Sequence, residues 1–208
     1  MKKYTKRRKV FGVGNNDADY MVYECETIGG KRKIIWRCPF YLTWANMLRR
    51  CYSEKALIRN PTYKGCTVFE RWLIFSNFKA WMETQDWKGK QLDKDLLVKG
   101  NKVYSPDNCI FVHPKVNTFT TDHGNARGEY MIGVYWSKNA GKFMSQCGNP
   151  FTGKQEYLGC FTNELEAHLA WKRKKHEHAC ALADSEYCTD PRLAEILRTR
   201  YLGDFTND

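Results

Sequence analysis

Between Leu92 and Asn117 the chain reads LDKDLLVKGNKVYSPDNCIFVHPKVN. Three carboxylates (Asp93, Asp95, Asp107), four lysines (Lys94, Lys99, Lys102, Lys115) and three amides (Asn101, Asn108, Asn117) are interleaved there with apolar residues. Asp93 to Val98 suits a short strand, and Gly100-Asn101 is a hairpin-turn signal that returns the chain along Lys102–Tyr104. Ser105-Pro106-Asp107-Asn108 is a second turn, with proline pre-set for it. Cys109 to Val112 is apolar, and Pro114 to Asn117 opens a helix with proline in its first turn. The order is strand, turn, strand, loop, short helix, which brings Asp93 and Asn117 face to face. Two such oxygen donors, with open positions beside them, form a site for a hard divalent cation such as magnesium or manganese. A cation held this way polarises a phosphodiester and steadies its leaving oxygen. The plainer reading of the same residues is a solvated, charged hairpin.

These residues resemble the HNH nucleases, the ββα-metal fold of homing endonucleases and phage nucleases. By that resemblance Asp93 takes the place of the metal-binding aspartate, Asn108 that of the loop asparagine, and Asn117 that of the ligand on the helix. The family's general-base histidine falls on Lys94, and the spacing is stretched around Val98-Lys99-Gly100. Lys94 could serve as base only if burial or a nearby cation lowered its pKa. Asp95 is the alternative, since strand alternation puts it on the Asp93 face with Lys94 opposite. His113 and His123 flank the segment, and each is either an imported base or a solvated loop histidine.

The elements that would carry this segment are legible upstream. Tyr20–Glu24 and Lys33–Arg37 read as strands joined near Gly29-Gly30. Gly12-x-Gly14 is too short a match for a nucleotide loop and reads as part of a turn. Phe40–Tyr52 reads as a helix with Trp44, Met47, Leu48 and Cys51 on one apolar face, and with Arg49 and Arg50 off it. After a loop over Pro61–Thr67, Phe69–Met82 reads as a second helix with Trp72, Phe75, Phe78 and Trp81 at near-helical spacing. That aromatic stripe reads as core. The order Trp44-x-x-Met47-Leu48 to Arg50-Cys51-Tyr52, then Tyr63-x-Gly65-Cys66, a Trp/Phe helix and Leu92-Asp93-Lys94-Asp95 is similar to phage-encoded HNH proteins. In that subfamily the Asp-Lys-Asp form is itself the expected one.

Phe119–Gly128 lacks apolar periodicity and reads as a linker. Beyond it, Ile132–Trp136, Lys142–Cys147 and Gln155–Cys160 read as three strands, turned by Asn139-Ala140-Gly141 and Pro150-Phe151-Thr152-Gly153. Thr162 or Asn163 then caps a helix to about Ala183, and Asn163 with Glu166 has capping-box spacing. Leu165, Leu169, Ala170, Cys180 and Ala183 fall at helical intervals. This order resembles the Apetala-two/ethylene-response-factor DNA-binding domain, through Gly133-Val134 with Trp136, Lys142-Phe143, Tyr157-Leu158-Gly159 with Phe161, and Glu164-x-Glu166-Ala167. The resemblance implies a sheet lying in the major groove, with Tyr135, Trp136, Lys138, Lys142, Ser145, Gln146 and Lys154 facing DNA. Trp136 has no flanking arginines, so Gln146 would read adenine while the lysines hold phosphates. The charged run Lys172–His178 reads as a solvated helix face, with His176 and His178 off a common face and unsuited to a metal pair. Asp190–Tyr201 reads as a last helix, followed by an acidic tail.

Composition bounds the function. A formal charge of +11 on 208 residues calls for an anionic partner, first of all nucleic acid. No apolar run approaches the roughly 20 residues of a membrane span, and the start of the chain carries charge without a secretory apolar segment. Nine cysteines without a CxxC pair point to reduced thiols of a cytoplasm. Cys38, Cys51, Cys66 and Cys109 are either a structural zinc set or buried thiols. Residues 1–10 hold six Lys or Arg and no acid, an arm for phosphates or a solubilising tail.

The expected architecture is α+β: a central ββα-metal (HNH-like) module plus a C-terminal three-stranded antiparallel sheet packed on one helix. Its divisions are a basic arm and strands (1–39), a nuclease module (40–118), a linker (119–129), an Apetala-two-like domain (130–185), and a helix and tail (186–208). The expected function is a phage-type endonuclease acting on double-stranded DNA with one divalent cation. The alternatives are a catalytically inactive DNA-binding or host-defence-inhibiting phage protein, and an RNA binder.

Overall fold

The apolar stripe of Trp44, Met47, Leu48 and Cys51 is buried along one helix, α1 (Pro39–Tyr52), in the computed structural model, which describes residues 8–121 and 129–202. The chain is mixed α+β and divides into two compact units, Met1–Phe111 and Val112–Asp208.

In the first unit a two-stranded antiparallel ribbon, β1 (Tyr23–Ile28) and β2 (Lys31–Arg37), turns at Gly29-Gly30 and precedes α1. A short helix, α2 (Glu54–Arg59), was not legible in the sequence. The expected helix over Phe69–Met82 is broken. A 3-10 turn (Glu70–Leu73) stops at Ile74, which is extended, and α3 (Phe75–Glu83) starts afresh. The cause is distant in sequence: the Asn15 N–H donates to the Leu73 carbonyl and the Phe75 N–H donates to Asn15, so a strand-like bridge replaces a helical turn. The aromatic residues still form the core. Trp72, Phe75 and Phe78 are buried, Trp44 Nε1 donates to the Trp72 carbonyl at 2.6 Å, and Trp72 lies 5.2 Å from Phe78 and 4.4 Å from Trp81. Such offset ring contacts add to the burial itself. Gly14 is needed for its lack of a side chain, because a Cβ there would lie 2.4 Å from Leu48 and 2.9 Å from Trp44.

The Leu92–Asn117 segment keeps its turns but not its expected pairing. Its strands are β4 (Gln91–Asp93), β5 (Val103–Tyr104) and β6 (Ile110–Val112), and residues 94–98 are bent rather than extended. The turn at Val98–Asn101 forms, with the Asn101 N–H on the Val98 carbonyl, yet its flanks do not pair with each other. Instead β5 runs parallel to β3 (Thr67–Val68), and β4 pairs with β6. The hairpin expectation is therefore corrected. The Asp93 carboxylate accepts from the backbone N–H groups of Asp95 and Leu96 and curls the chain out of the strand. Meanwhile the carbonyls of Lys102 and Tyr104 are taken by Thr67 and Phe69.

In the second unit α4 (Pro114–Thr120) is followed by the antiparallel sheet β7 (Val134–Ser137), β8 (Lys142–Gly148) and β9 (Gln155–Phe161), in that order. Both expected turns close it: the Gly141 N–H reaches Ser137, and the Asn149 side chain accepts from Phe151 and Thr152. Helix α5 (Glu164–Ala183) packs on all three strands, and α6 (Pro191–Thr199) packs on α5. Asn163 caps α5 through the Leu165 N–H, while Glu164 and His168 hold the backbone of Met131 and Ile132 ahead of β7. The buried residues of α5 are Ala167, His178, Ala179, Leu182 and Ala183, whereas Leu165 is exposed. Small side chains on that face let the helix lie close to the sheet.

The change of unit at Val112 precedes the expected linker. Helix α4 belongs to the second unit because Lys175 donates to the Phe119 carbonyl at 2.8 Å, Arg200 to that of Thr120, and Lys115 to the Tyr187 hydroxyl. The charged run of α5 is thus partly structural rather than a purely solvated face. Residues 122–128, including His123, the first seven residues of the basic arm and the tail from Gly203 lie outside the described residues.

Candidate functional site

The residues singled out in β4 and beyond form one hydrogen-bonded network in the first unit. Asp93 ends β4, and its Oδ1 accepts the Asp95 N–H at 3.0 Å and the Leu96 N–H at 2.7 Å. Lys94 is only 5% exposed, and its ammonium donates to Asp95 Oδ2 at 3.0 Å and to the Asn101 carbonyl at 2.9 Å. Asn101 ties the loop shut. Its amide donates to the Lys94 and Val103 carbonyls, and its Oδ1 accepts from the Val103 N–H and from the Asn108 amide at 3.1 Å. The strand alternation expected to set Lys94 opposite Asp95 is replaced by this loop, which brings the two together.

Burial pushes the Asp93 carboxyl above its ordinary range. The charge of Asp95 raises it further, and the Leu96 and Asp95 amides pull it back. A buried carboxylate whose ionisation is opposed by a second acid beside it is a hard oxygen donor, and a divalent cation would relieve that repulsion. Among the described residues no group of three or more His, Cys, Asp or Glu side chains gathers to hold a metal. A cation at Asp93 and Asp95 would therefore draw its further ligands from amide or carbonyl oxygens and water.

Arg50, at the C-terminal end of α1, went unassigned in the sequence. It donates to the Leu92 carbonyl and the Tyr104 hydroxyl, and stands 5.6 Å from the centre of the Tyr63 ring. Burial lowers its pKa, but Tyr104, Tyr63 and the charge of Asp93 together raise it. The only sequence signal for it was an arginine off the apolar stripe of α1. Tyr104 is buried and its pKa is raised, chiefly by loss of water.

The four candidate zinc cysteines are buried free thiols. Burial pushes Cys51 and Cys109 up to about 12, and Cys38 Sγ lies 3.6 Å from the Tyr20 hydroxyl.

In the second unit, Asn117 lies in α4 and accepts from the Thr121 hydroxyl through its carbonyl. His113 caps α4, with Nδ1 accepting the Lys115 N–H, and its ring lies 4.6 Å from that of Tyr187. The sheet presents an exposed face holding Tyr135, Lys142, Gln146 and Tyr157, with Lys138 and Lys154 in the adjoining turns. None of those three lysines has an ion pair among the described residues. Ser145 does not belong with them. It is fully buried on the other side of β8, and its hydroxyl has no hydrogen-bond partner, so the expectation that it faces DNA is corrected. Trp136 is 38% exposed and lies edge-on to Phe143 at 4.8 Å. The sequence missed a sulfur cluster on the exposed face, where Cys160 Sγ lies 2.8 Å from the Tyr157 hydroxyl and 3.2 Å from Met144 Sδ.

No helix among the described residues is long and apolar enough to cross a membrane. Comparison of the chain with protein-family models, with curated proteins and with solved structures finds no match.

Proposed function

We propose that the chain is an HNH-type DNA endonuclease that cuts or nicks a phosphodiester with one divalent cation, held to its substrate by the C-terminal sheet. The observation that carries the reading is the pair of like-charged acids Asp93 and Asp95, set in a loop anchored by Lys94, Asn101 and Asn108. Magnesium or manganese bound there would polarise the phosphodiester and stabilise the leaving oxygen. Asp93 would supply the principal ligand. Lys94 donates to two oxygens, which suits an orienting group better than a base. Asp95, with its side chain half-exposed, would accept the proton from water. Arg50 would offset charge gathering on the phosphoryl oxygens.

Tyr135, Lys142, Gln146 and Tyr157 on the exposed sheet face support double-stranded DNA as the substrate, since a twisted β-sheet can enter the major groove. The test is incubation of supercoiled plasmid with the protein and magnesium or manganese. Nicking that chelator stops, and that Asp93→Asn abolishes while DNA retention in a gel persists, is the expected result. Retention without nicking across both metals would favour the second reading, a DNA-binding protein that does not cut. That reading rests on the charge of +11 and the lysines without acid partners.

A further inference from the structure

Among the described residues, little packs over the ribbon β1–β2. Every residue of β2 is exposed, including Ile34 at 45% and Trp36 at 43%, and a two-stranded ribbon alone is marginal in water. Its base is pinned where the Cys38 N–H donates to the Val22 carbonyl. One face of it, with α1, bounds a groove of 340 Å³ lined by Tyr23, Ile34, Arg37, Tyr41, Asn46 and Arg49 among others. No residue lining the groove is acidic. Arg37 and Arg49 are exposed, and neither has an ion pair among the described residues. Phe11 also lines the groove, and it is the sole non-glycine described with a positive φ, at 49°. A bulky residue in that region is strained and persists only where its surroundings fix it. Beyond the groove, β2 adds Lys31, Arg32 and Lys33, while β1 carries Glu24 and Glu26, with Glu26 across from Lys33.

We infer that this groove binds a single nucleic-acid strand, with phosphates on Arg37 and Arg49 and an unstacked base against Tyr23 or Tyr41. Guanidinium groups match phosphate oxygens in pairs, and aromatic faces accept any base. The shared chemistry is a phosphodiester chain with an exposed base, so both DNA and RNA strands qualify. An unpaired strand is favoured over a protein partner because the groove carries cations and no carboxylate. The inference concerns the first unit alone and does not depend on cleavage.

The test is fluorescence anisotropy of short single-stranded DNA and RNA oligonucleotides with the full chain in chelator, where cleavage is silent. The double variant Arg37→Ala/Arg49→Ala is expected to lose tenfold or more in affinity, and to reduce the slope of log K against log salt by about 1.4, at about 0.7 per phosphate contact on a single strand. Tyr23→Ala is expected to weaken binding with the slope unchanged. Lys138→Ala/Lys142→Ala, on the C-terminal sheet, is expected to weaken duplex binding and spare the single strand. Both arginines are exposed, so the thermal midpoint should hold. Should the double variant unfold, each single arginine variant carries the same test with a slope change of about 0.7. Wild-type affinity and slope in the arginine variants, absence of oligonucleotide binding by the wild type, or self-association lost in these variants in place of oligonucleotide binding would each overturn the inference. Preference between the DNA and RNA oligonucleotides identifies the natural strand.

Discussion

Asp93 is both a turn-former and the acid that a cation would neutralise, and the two roles can be separated. Asparagine keeps an Oδ1 for the Asp95 and Leu96 amides but removes the charge opposing Asp95. The folded-state pKa of Asp93 is raised, so its contribution is fully present below the unfolded carboxyl range and is lost as pH rises through the raised value. Asp93→Asn is therefore expected to match the wild type in acid and to gain on it toward neutral pH, read as thermal midpoints across a pH series. At neutral pH, magnesium at about a hundred times its Kd would add about 2.7 kcal/mol to the wild type, several degrees in midpoint for a chain of this size. The asparagine variant should show no such gain, and an equal gain in both would remove Asp93 from the cation site. Asn101 is the other separable residue. Asn101→Ala deletes the amide contacts to Lys94, Val103 and Asn108. A loss of about 1–3 kcal/mol in urea denaturation is expected, since the carbonyl of the buried Lys94 is left unmet.

At the scale of elements, what was legible in the sequence was what is local. The stripe of α1 emerged with the same four buried residues, because 3.6-residue periodicity and core packing agree there. The three strands and two turns of the C-terminal sheet emerged because each turn has its own glycine or asparagine chemistry. The break at Ile74 was not legible, since Asn15 imposes it from far upstream. The lost hairpin has the same origin: Gly100-Asn101 does turn, but β5 finds its partner in Thr67–Val68. At the candidate site, the acids and amides were named from type and spacing, while Arg50 and the Lys94–Asp95 contact arose from tertiary packing. Gly133, ahead of β7, allows a prediction at this scale. It has a φ of +80°, and a Cβ there would come within 2.1 Å of Trp171 on α5, whereas Gly141 has positive φ and open space. Gly133→Ala should cost more than the 1–3 kcal/mol or so of backbone strain alone, and Gly141→Ala about that strain only. Urea denaturation of both variants checks the difference, which isolates the packing of sheet on helix.

For the whole molecule, the formal charge of +11 belongs to the first unit: residues 1–111 hold 22 Lys or Arg against 11 Asp or Glu, whereas residues 112–208 hold 12 of each. Arg37 and Arg49, at the base of the ribbon and the end of α1, are one group of cations without an ion pair among the described residues, and the lysines on the exposed face and turns of the C-terminal sheet are another. If the sheet is the duplex-binding surface, its share of the affinity is electrostatic and calculable. Each lysine neutralising a phosphate on B-DNA adds about 0.9 to the magnitude of the salt slope. Lys138→Ala/Lys142→Ala/Lys154→Ala should thus lower the slope of log K against log salt on duplex DNA by about 2.7, measured by anisotropy in chelator. Weakening should be similar across duplex sequences, because phosphate contacts position without reading. Gln146→Ala, by contrast, should leave the slope unchanged and relax discrimination at one base pair. A triple variant that keeps the wild-type slope would move duplex binding off this sheet and onto the cations of the first unit. That outcome would make the C-terminal unit a scaffold rather than the part that holds DNA.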